Sequence, residues 1–446
     1  MSTRKRVTVI GGGLAGCEAA WQAARQGVDV DLLEMRPVRM TEAHKTALLA
    51  ELVCSNSLRS RDRTTGAGLL KEELAIAGSL IIRAALETEV PAGSALGVDR
   101  QLFAEYITGM VASHPHIELV KEEVTTLPAD EVAIVATGPL TSPPLAREIA
   151  ALIGDEHLFF YDAIAPIVSA ESIDFSKAYR ASRYDKGGDD YLNCPMSQEE
   201  YGRFYDALVE ADTVAAREFE DMKVFEGCMP LEVMAGRGRD TLRYGPLRPV
   251  GLRDRRTGGI PHAVVQLRPE NRQMSSYNMV GFQTRLTRPE QTRVFRMIPG
   301  LEGAEFLRYG SIHRNTFLNA PKHLREDLSL RVRDTLYFAG QITGVEGYIE
   351  STAMGLLAGI SAARRVLGVG TPSPPRETAH GALIHHIIAS DSRTFQPSNI
   401  NFGLLPEDGE TPRIKDKRRR REMLAERALD AWRRYVGAVI GDRQEP

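Results

Sequence analysis

An α/β fold is predicted for this 446-residue chain by three observations. Val7 to Ile10 is a short apolar run rich in β-branched residues, followed at once by Gly11-Gly12-Gly13-Leu14-Ala15-Gly16 and a small-residue helical pattern that ends near Gly27. Late in the chain, Thr335 to Ala339 reads as a strand, Gly340 to Gly347 as a glycine-rich turn and Glu350 to Leu367 as a helix. Between these, from about residue 167 to 325, the pattern changes to mixed strands and loops rich in Tyr, Asp and Arg. Together they predict a Rossmann-like domain, a parallel sheet with flanking helices, formed by residues 1–166 and 326–446. A mixed α+β insertion, 167–325, interrupts it.

The elements follow in order. Gly11 permits the tight turn after the first strand, Gly13 lets a pyrophosphate approach the backbone, and Gly16 lets the helix pack close to the strand. A second strand closes on Glu34, 18 positions after Gly16, where a carboxylate can accept from ribose hydroxyls and repel a 2′-phosphate. Met35 to Thr65 is irregular, which in this fold raises the expectation of chemistry. Gly68 to Glu87 reads as one helix, and Asp99 caps another that runs to about Ser113. Ile117 to Val120 and Val132 to Ala136 are strands, the second leading into Thr137-Gly138 beneath the expected cofactor. A helix is expected from Gln198 to Glu220. A Pro-rich linker (Thr371 to Pro375), an apolar helix from about Gly381 to Ala389 and a basic helix after Pro412 complete the chain.

Composition excludes some classes. Apolar content of 43% and charged content of 26% are ordinary for a globular protein. With a net charge of −3, any nucleic-acid surface must come from local clustering. No run of 18 apolar residues exists and the first strand starts almost immediately, so a cytoplasmic protein with neither membrane span nor signal peptide is expected. Four cysteines (Cys17, Cys54, Cys194, Cys228) in a chain of this length make no disulfide framework, and the lack of a C-x-x-C pair leaves no metal site to expect. No second G-x-G-x-x-G with strand and helix flanks occurs, since Gly236-Arg237-Gly238 falls in an arginine-rich loop. A separate nicotinamide domain is therefore not expected.

Several residues could carry chemistry. The late turn containing Gly340, Gln341, Thr343 and Gly344, followed by a helix, suits a second phosphate or flavin contact. Seven of the twenty residues from Arg237 to Arg256 are Arg, including Arg237, Arg239 and Arg243; seven of the nine from Arg413 to Arg421 are Lys or Arg. Loop arginines with Tyr244 among them suit phosphates and bases of a folded RNA, or else form a solvated face. Cys54, near Arg59 and Arg61, and Cys228, nine residues before the arginine cluster, could ionise in a positive field; a buried packing role is the other reading for each. His313, among polar and aromatic residues, is the histidine of interest.

Five segments carry a resemblance: VIGGGLAGCEAA (Val9 to Ala20), LVCSNSLRS (Leu52 to Ser60), FEGCMPLE (Phe225 to Glu232), YFAGQITGVEGYIES (Tyr337 to Ser351) and FQPSNINFGLLP (Phe395 to Pro406). With them the chain resembles the bacterial folate- and FAD-dependent tRNA (uracil-5-)-methyltransferases. The first and fourth are shared with the larger FAD enzyme that modifies the wobble uridine, and the others are specific to the smaller family. The resemblance implies a Rossmann-like FAD-binding domain and 5-methyluridine formation in the T loop of tRNA, at position 54. Methylenetetrahydrofolate would be the carbon donor, reduced FAD the reductant, and NADPH or NADH the source of electrons. It implies that Cys228 is the nucleophile, that Cys54 assists near the flavin, that His313 stacks on the folate, and that the insertion arginines hold the T arm. No protein partner is expected. The wobble-uridine enzyme, and a flavin oxidoreductase acting on no RNA, are the competing expectations.

Overall fold

The computed structural model describes residues 5–41, 43–154, 158–185, 188–214, 229–254, 256–406 and 416–441. Two six-stranded sheets organise it. The first runs in the order Ser329–Leu330, Arg333–Phe338, Ala133–Val135, Arg6–Ile10, Asp29–Glu34, Ile117–Lys121. Every neighbouring pair is parallel except the short edge strand Ser329–Leu330. Arg6–Ile10 is buried on both faces apart from its first residue, as expected of an interior strand of a parallel sheet rich in β-branched residues. The second sheet is antiparallel, in the order Tyr179–Arg180, Leu192–Met196, Ala263–Pro269, Ser276–Met279, Ile167–Ser169, Phe306–Arg308, and closes over a separate core containing Phe204, Phe282 and Phe295. A two-stranded ribbon, Leu158–Ile164 with Ser311–Phe317, joins the two parts.

The α/β architecture is therefore the expected one, with the first sheet assembled from both ends of the chain. What closes it is a helix pair. Leu14–Arg25 packs against Tyr348–Leu367 so tightly that a Cβ on Gly355 would stand 2.3 Å from the Ala15 carbonyl oxygen, and one on Gly359 would stand 2.4 Å from that of Ala19.

Three elements differ from expectation. The single helix expected over 68–87 is two, Gly66–Ile76 and Leu80–Glu87. Gly78 at φ +71° ends the first, and the Ser79 hydroxyl accepts from the Ile82 N–H to start the second. The helix from Gln198 stops at Val209, and the rest of its expected span includes residues 215–220, outside the described ones. The irregular stretch 35–65 contains a strand, Ser57–Ser60, paired with Ala95–Val98. Asp99 caps Arg100–Ala112 as expected, accepting from the N–H groups of Gln101 and Leu102. No helix among the described residues is long and apolar enough to cross a membrane.

Candidate active site

A long cavity runs along the carboxyl ends of the parallel strands. Gly11, Gly12, Gly13, Leu14 and Ala15 line it from one side, Glu34 and Arg36 from a second, Thr137 and Gly138 from a third, and Gly340 and Gln341 close it. The glycines divide by task. Gly11 sits at φ +104°, and a Cβ there would meet the Ala136 carbonyl oxygen at 2.7 Å. A Cβ on Gly16 would lie 1.8 Å from the Gly11 carbonyl oxygen, so Gly16 sets the approach of helix to turn without lining the cavity. At Gly13 nothing lies within 4 Å of such an atom, and no side chain caps the helix that starts there. Its first N–H groups thus face open space, which is what a pyrophosphate requires.

Glu34 is held more firmly than the sequence indicated. One oxygen accepts from the Gly12 N–H at 2.7 Å and the other from Arg36 Nε at 2.7 Å. Burial raises its pKa, but the Arg36 hydrogen bond and charge outweigh burial and hold the carboxyl below its ordinary range. Arg36, only 2% exposed, also reaches Glu51 at 3.3 Å. Oε1 accepts from both the Arg36 N–H and Nε, while Oε2 accepts from the Gly12 N–H and keeps a lone pair for a ribose hydroxyl.

In the late turn, Gly340 (φ +82°) touches Ala15, where a Cβ would come within 2.7 Å of the Ala15 Cβ. Thr343 is buried and donates to the Gly340 carbonyl at 2.8 Å, while Gly344 (φ +87°) accommodates the Phe395 ring. Thr343 and Gly344 therefore shape the turn rather than line the cavity. The tail segment folds back over it: the Glu346 N–H donates to the Ser398 carbonyl at 2.9 Å, and the Ile400 N–H to Glu350 at 3.0 Å.

Cys54 is half-buried at the cavity edge, beside the lining residue Val53. Its N–H and that of Ser55 both donate to the Tyr348 hydroxyl, at 2.8 and 3.1 Å. From behind, Arg100 donates to the carbonyls of Leu52 and Cys54 while paired with Glu270, which directly follows the strand Ala263–Pro269. The thiol-bearing loop is thus fixed by residues 46 and 294 positions away from Cys54. His44 lines the same cavity; burial, then the Arg36 charge, lowers its pKa to about 4, so it stays neutral at physiological pH. Tyr348, Arg100, Arg36 and His44 were not picked out from sequence, although Tyr348 lies inside a motif that was.

Cys17 and Cys194 are buried, and burial pushes both thiols up, Cys194 to about 12. Cys228 lies outside the described residues. His313 lies on Ser311–Phe317, its backbone paired with Asp162, and its side chain lies outside the described part. The arginines of the insertion divide. Arg239 pairs with Asp206 at 2.7 Å, Arg243 with Asp240 at 2.7 Å, and Arg256 with Asp254 at 2.9 Å. Arg237, Arg248 and Arg253 are exposed, and the side chains of Arg248 and Arg253 have no hydrogen-bond or ion-pair partner among the described residues.

Beneath the turn lies a buried charged group. Glu350 is fully buried and paired with Arg59 at 2.9 Å; burial raises its pKa. Burial likewise pushes the Lys71 amine from 10.5 down to about 7, while Nζ donates to the Leu58 carbonyl at 2.7 Å. Between pH 7 and 10.5 the unfolded chain holds a proton at Lys71 that the folded protein does not, so this residue makes stability rise with pH over that interval. Relative to Lys71→Met, the wild-type protein is expected to gain on the order of a few kcal/mol from pH 7 to 10, read from paired denaturant melts. A pH-independent difference between the two would show that the amine stays charged in the fold.

A family model described as GIDA, Glucose inhibited division protein A, matches residues 6–369. The methylenetetrahydrofolate–tRNA-(uracil-5-)-methyltransferase TrmFO of Geobacter sulfurreducens is 60% identical over 430 residues, covering 96% of this chain and 98% of its own. The protein of the same name from Pelobacter propionicus is 57% identical over 446 residues, covering 99% of this chain and 97% of its own. Among solved structures, a crystal form of Aquifex aeolicus GidA superposes with a TM-score of 0.67 at 17% identity, over 96% of this chain and 73% of that one. This last likeness concerns the fold alone.

Proposed function

The chain belongs to the GIDA family and, within it, to the methylenetetrahydrofolate–tRNA-(uracil-5-)-methyltransferases, and on that premise we propose that it makes 5-methyluridine at position 54 in the T loop of tRNA, with FAD in the long cavity. One observation carries the cofactor part of this reading. The bare helix N-terminus at Gly13, Thr137-Gly138 and the Gly340 turn converge on one cavity, with a cysteine loop fixed at its edge.

The residues present fit FAD. Gly11 to Ala15 would hold its pyrophosphate, Glu34 its ribose, and the Gly340 turn with the N-terminus of Tyr348–Leu367 its flavin end. Bound there, FAD would supply the two electrons and the proton that turn a methylene into a methyl group, after reduction by NADPH or NADH. Uracil C5 is a weak nucleophile. Addition of the Cys228 thiolate at C6 moves the ring electrons to C5 as an enolate, and C5 then bonds to the carbon of methylenetetrahydrofolate. Loss of the C5 proton with cleavage of that carbon's bond to the folate nitrogen releases tetrahydrofolate and leaves a methylene on C5; its reduction to methyl by the two electrons and proton named above expels the Cys228 thiolate, breaking the C6–S bond and returning the thiol. Tyr348 and Arg100 hold the Cys54 backbone, so Cys54 works from a fixed position beside the reaction. Taking the base out of its loop costs a few kcal/mol, which phosphate contacts from exposed arginines such as Arg248 and Arg253 would offset.

The test is direct. Purified yellow protein is incubated with an unmodified tRNA transcript, methylenetetrahydrofolate and NADPH, and methylated uridine is mapped. Methylation at position 54 is the expected result; reduction of the flavin with no methylated uridine would overturn the proposal.

A further inference from the structure

Three segments far apart in the chain meet at one buried oxygen. Glu350, in the first turn of Tyr348–Leu367, is fully buried, and its Oε1 accepts from Arg59 Nη1 at 2.9 Å and from the Ile400 N–H at 3.0 Å. Arg59 lies 291 positions earlier, in the cysteine segment, and Ile400 lies 50 positions later, in the tail. Burial raises the pKa of the carboxyl, and the Arg59 charge is the largest influence opposing it. No step of the reaction described above uses this group.

The start of the helix grips the thiol loop twice. Two residues before Glu350, the Tyr348 hydroxyl accepts from the N–H groups of Cys54 and Ser55, and at the far end of the loop Glu350 holds Arg59. Arg59 has φ +67°, a left-handed conformation for a residue with a Cβ, and the Lys71 amine donates at 2.7 Å to the Leu58 carbonyl just before it. Such a conformation persists only where its surroundings over-determine it. The same Glu350 oxygen seats the tail. There the Phe395 ring lies against Gly344, and the Ile400 carbonyl oxygen would stand 2.5 Å from a Cβ on Gly66. Tail, thiol loop and cofactor helix are thus fixed to one another through a single carboxylate. Resting on the function proposed above, we propose that Glu350 is a positioning residue for methyl transfer: through Arg59 it sets where the Cys54 thiol stands beside the cofactor, and through Ile400 it makes that setting depend on the docked tail.

The test uses the flavin-loaded protein. Glu350→Gln keeps the volume and an acceptor for the Ile400 N–H but removes the charge that holds Arg59. Its kcat for tRNA methylation should fall about ten- to a hundredfold, the scale of a group misplaced by about 1 Å, with KM for tRNA and for methylenetetrahydrofolate within about twofold. Flavin content, melting temperature and the yield of the 5-fluorouracil-tRNA adduct, which reports Cys228, should match wild type. Alkylation of Cys54 by iodoacetamide, located by peptide mass spectrometry, should change severalfold in rate. Arg59→Gln, at a side chain 41% exposed, should reproduce the pattern, and the double variant should lose no more than either alone, as two residues acting through one contact do. Arg59→Lys, which keeps the charge, should recover part of the rate. Loss of flavin or of melting temperature in step with kcat would overturn the proposal and leave Glu350 a structural anchor. Additive losses in the double variant, or unchanged Cys54 alkylation in both single variants, would overturn the coupling through Arg59. If the wild-type protein methylates no tRNA, the methyl-transfer reading fails by itself, and Cys54 alkylation still decides whether Glu350 sets the loop.

Discussion

Gly16→Ala is expected to give a protein that is both destabilised and colourless, whereas Gly13→Ala should be colourless but stable. A methyl group at residue 16 would lie 1.8 Å from the Gly11 carbonyl oxygen, a backbone atom that cannot rotate away. The helix must move off the strand, and with it the N–H groups that face the phosphates. Overpacking of this kind costs on the order of 3 kcal/mol or more. At residue 13 the same methyl meets nothing within 4 Å, so folding is unaffected and only the ligand's space is taken. Flavin absorbance per mole of protein and thermal unfolding by circular dichroism separate the two variants. Equal melting temperatures for Gly16→Ala and wild type would show that the helix–strand contact is not the constraint described.

The second large effect concerns the thiols. Cys228→Ala should form no covalent adduct with 5-fluorouracil-containing tRNA and should lose methylation by on the order of 10⁴-fold or more, the scale on which removal of a covalent nucleophile acts. Cys54→Ala should still form the adduct while methylating slowly, because the addition at C6 is intact. Denaturing gels of the RNA–protein species read the first property and nucleoside analysis the second. Adduct formation by Cys228→Ala together with its loss in Cys54→Ala would exchange the two roles.

What was legible in the sequence is what local backbone geometry dictates. The Gly11 to Gly16 turn could be read because a strand, a turn with φ of +104° and a helix start each require particular residues within a few positions. The break at Gly78 was equally local, with Gly followed by a capping Ser, but the apolar periodicity running across it masked the stop signal. Pairings across long sequence separations could not be read. Arg100 closing on Glu270, or Tyr348 accepting from Cys54 and Ser55, exists only after the sheets have assembled. The arginine cluster shows the same limit: Arg239 and Arg248 look alike in sequence, yet only the first meets an aspartate, Asp206, 33 positions away.

The glycine seam between Leu14–Arg25 and Tyr348–Leu367 has a consequence for biosynthesis. Ala15 and Ala19, whose carbonyls Gly355 and Gly359 approach, leave the ribosome about 340 residues before their partners. At typical elongation rates that interval is roughly 20 to 70 s. Throughout it the nucleotide-binding helix lacks the surface that seats it, and the Gly340 turn that closes the cavity has yet to emerge. Cofactor capture is thereby deferred to the end of translation, and the nascent N-terminal half must remain unaggregated in the meantime without a ligand to stabilise it.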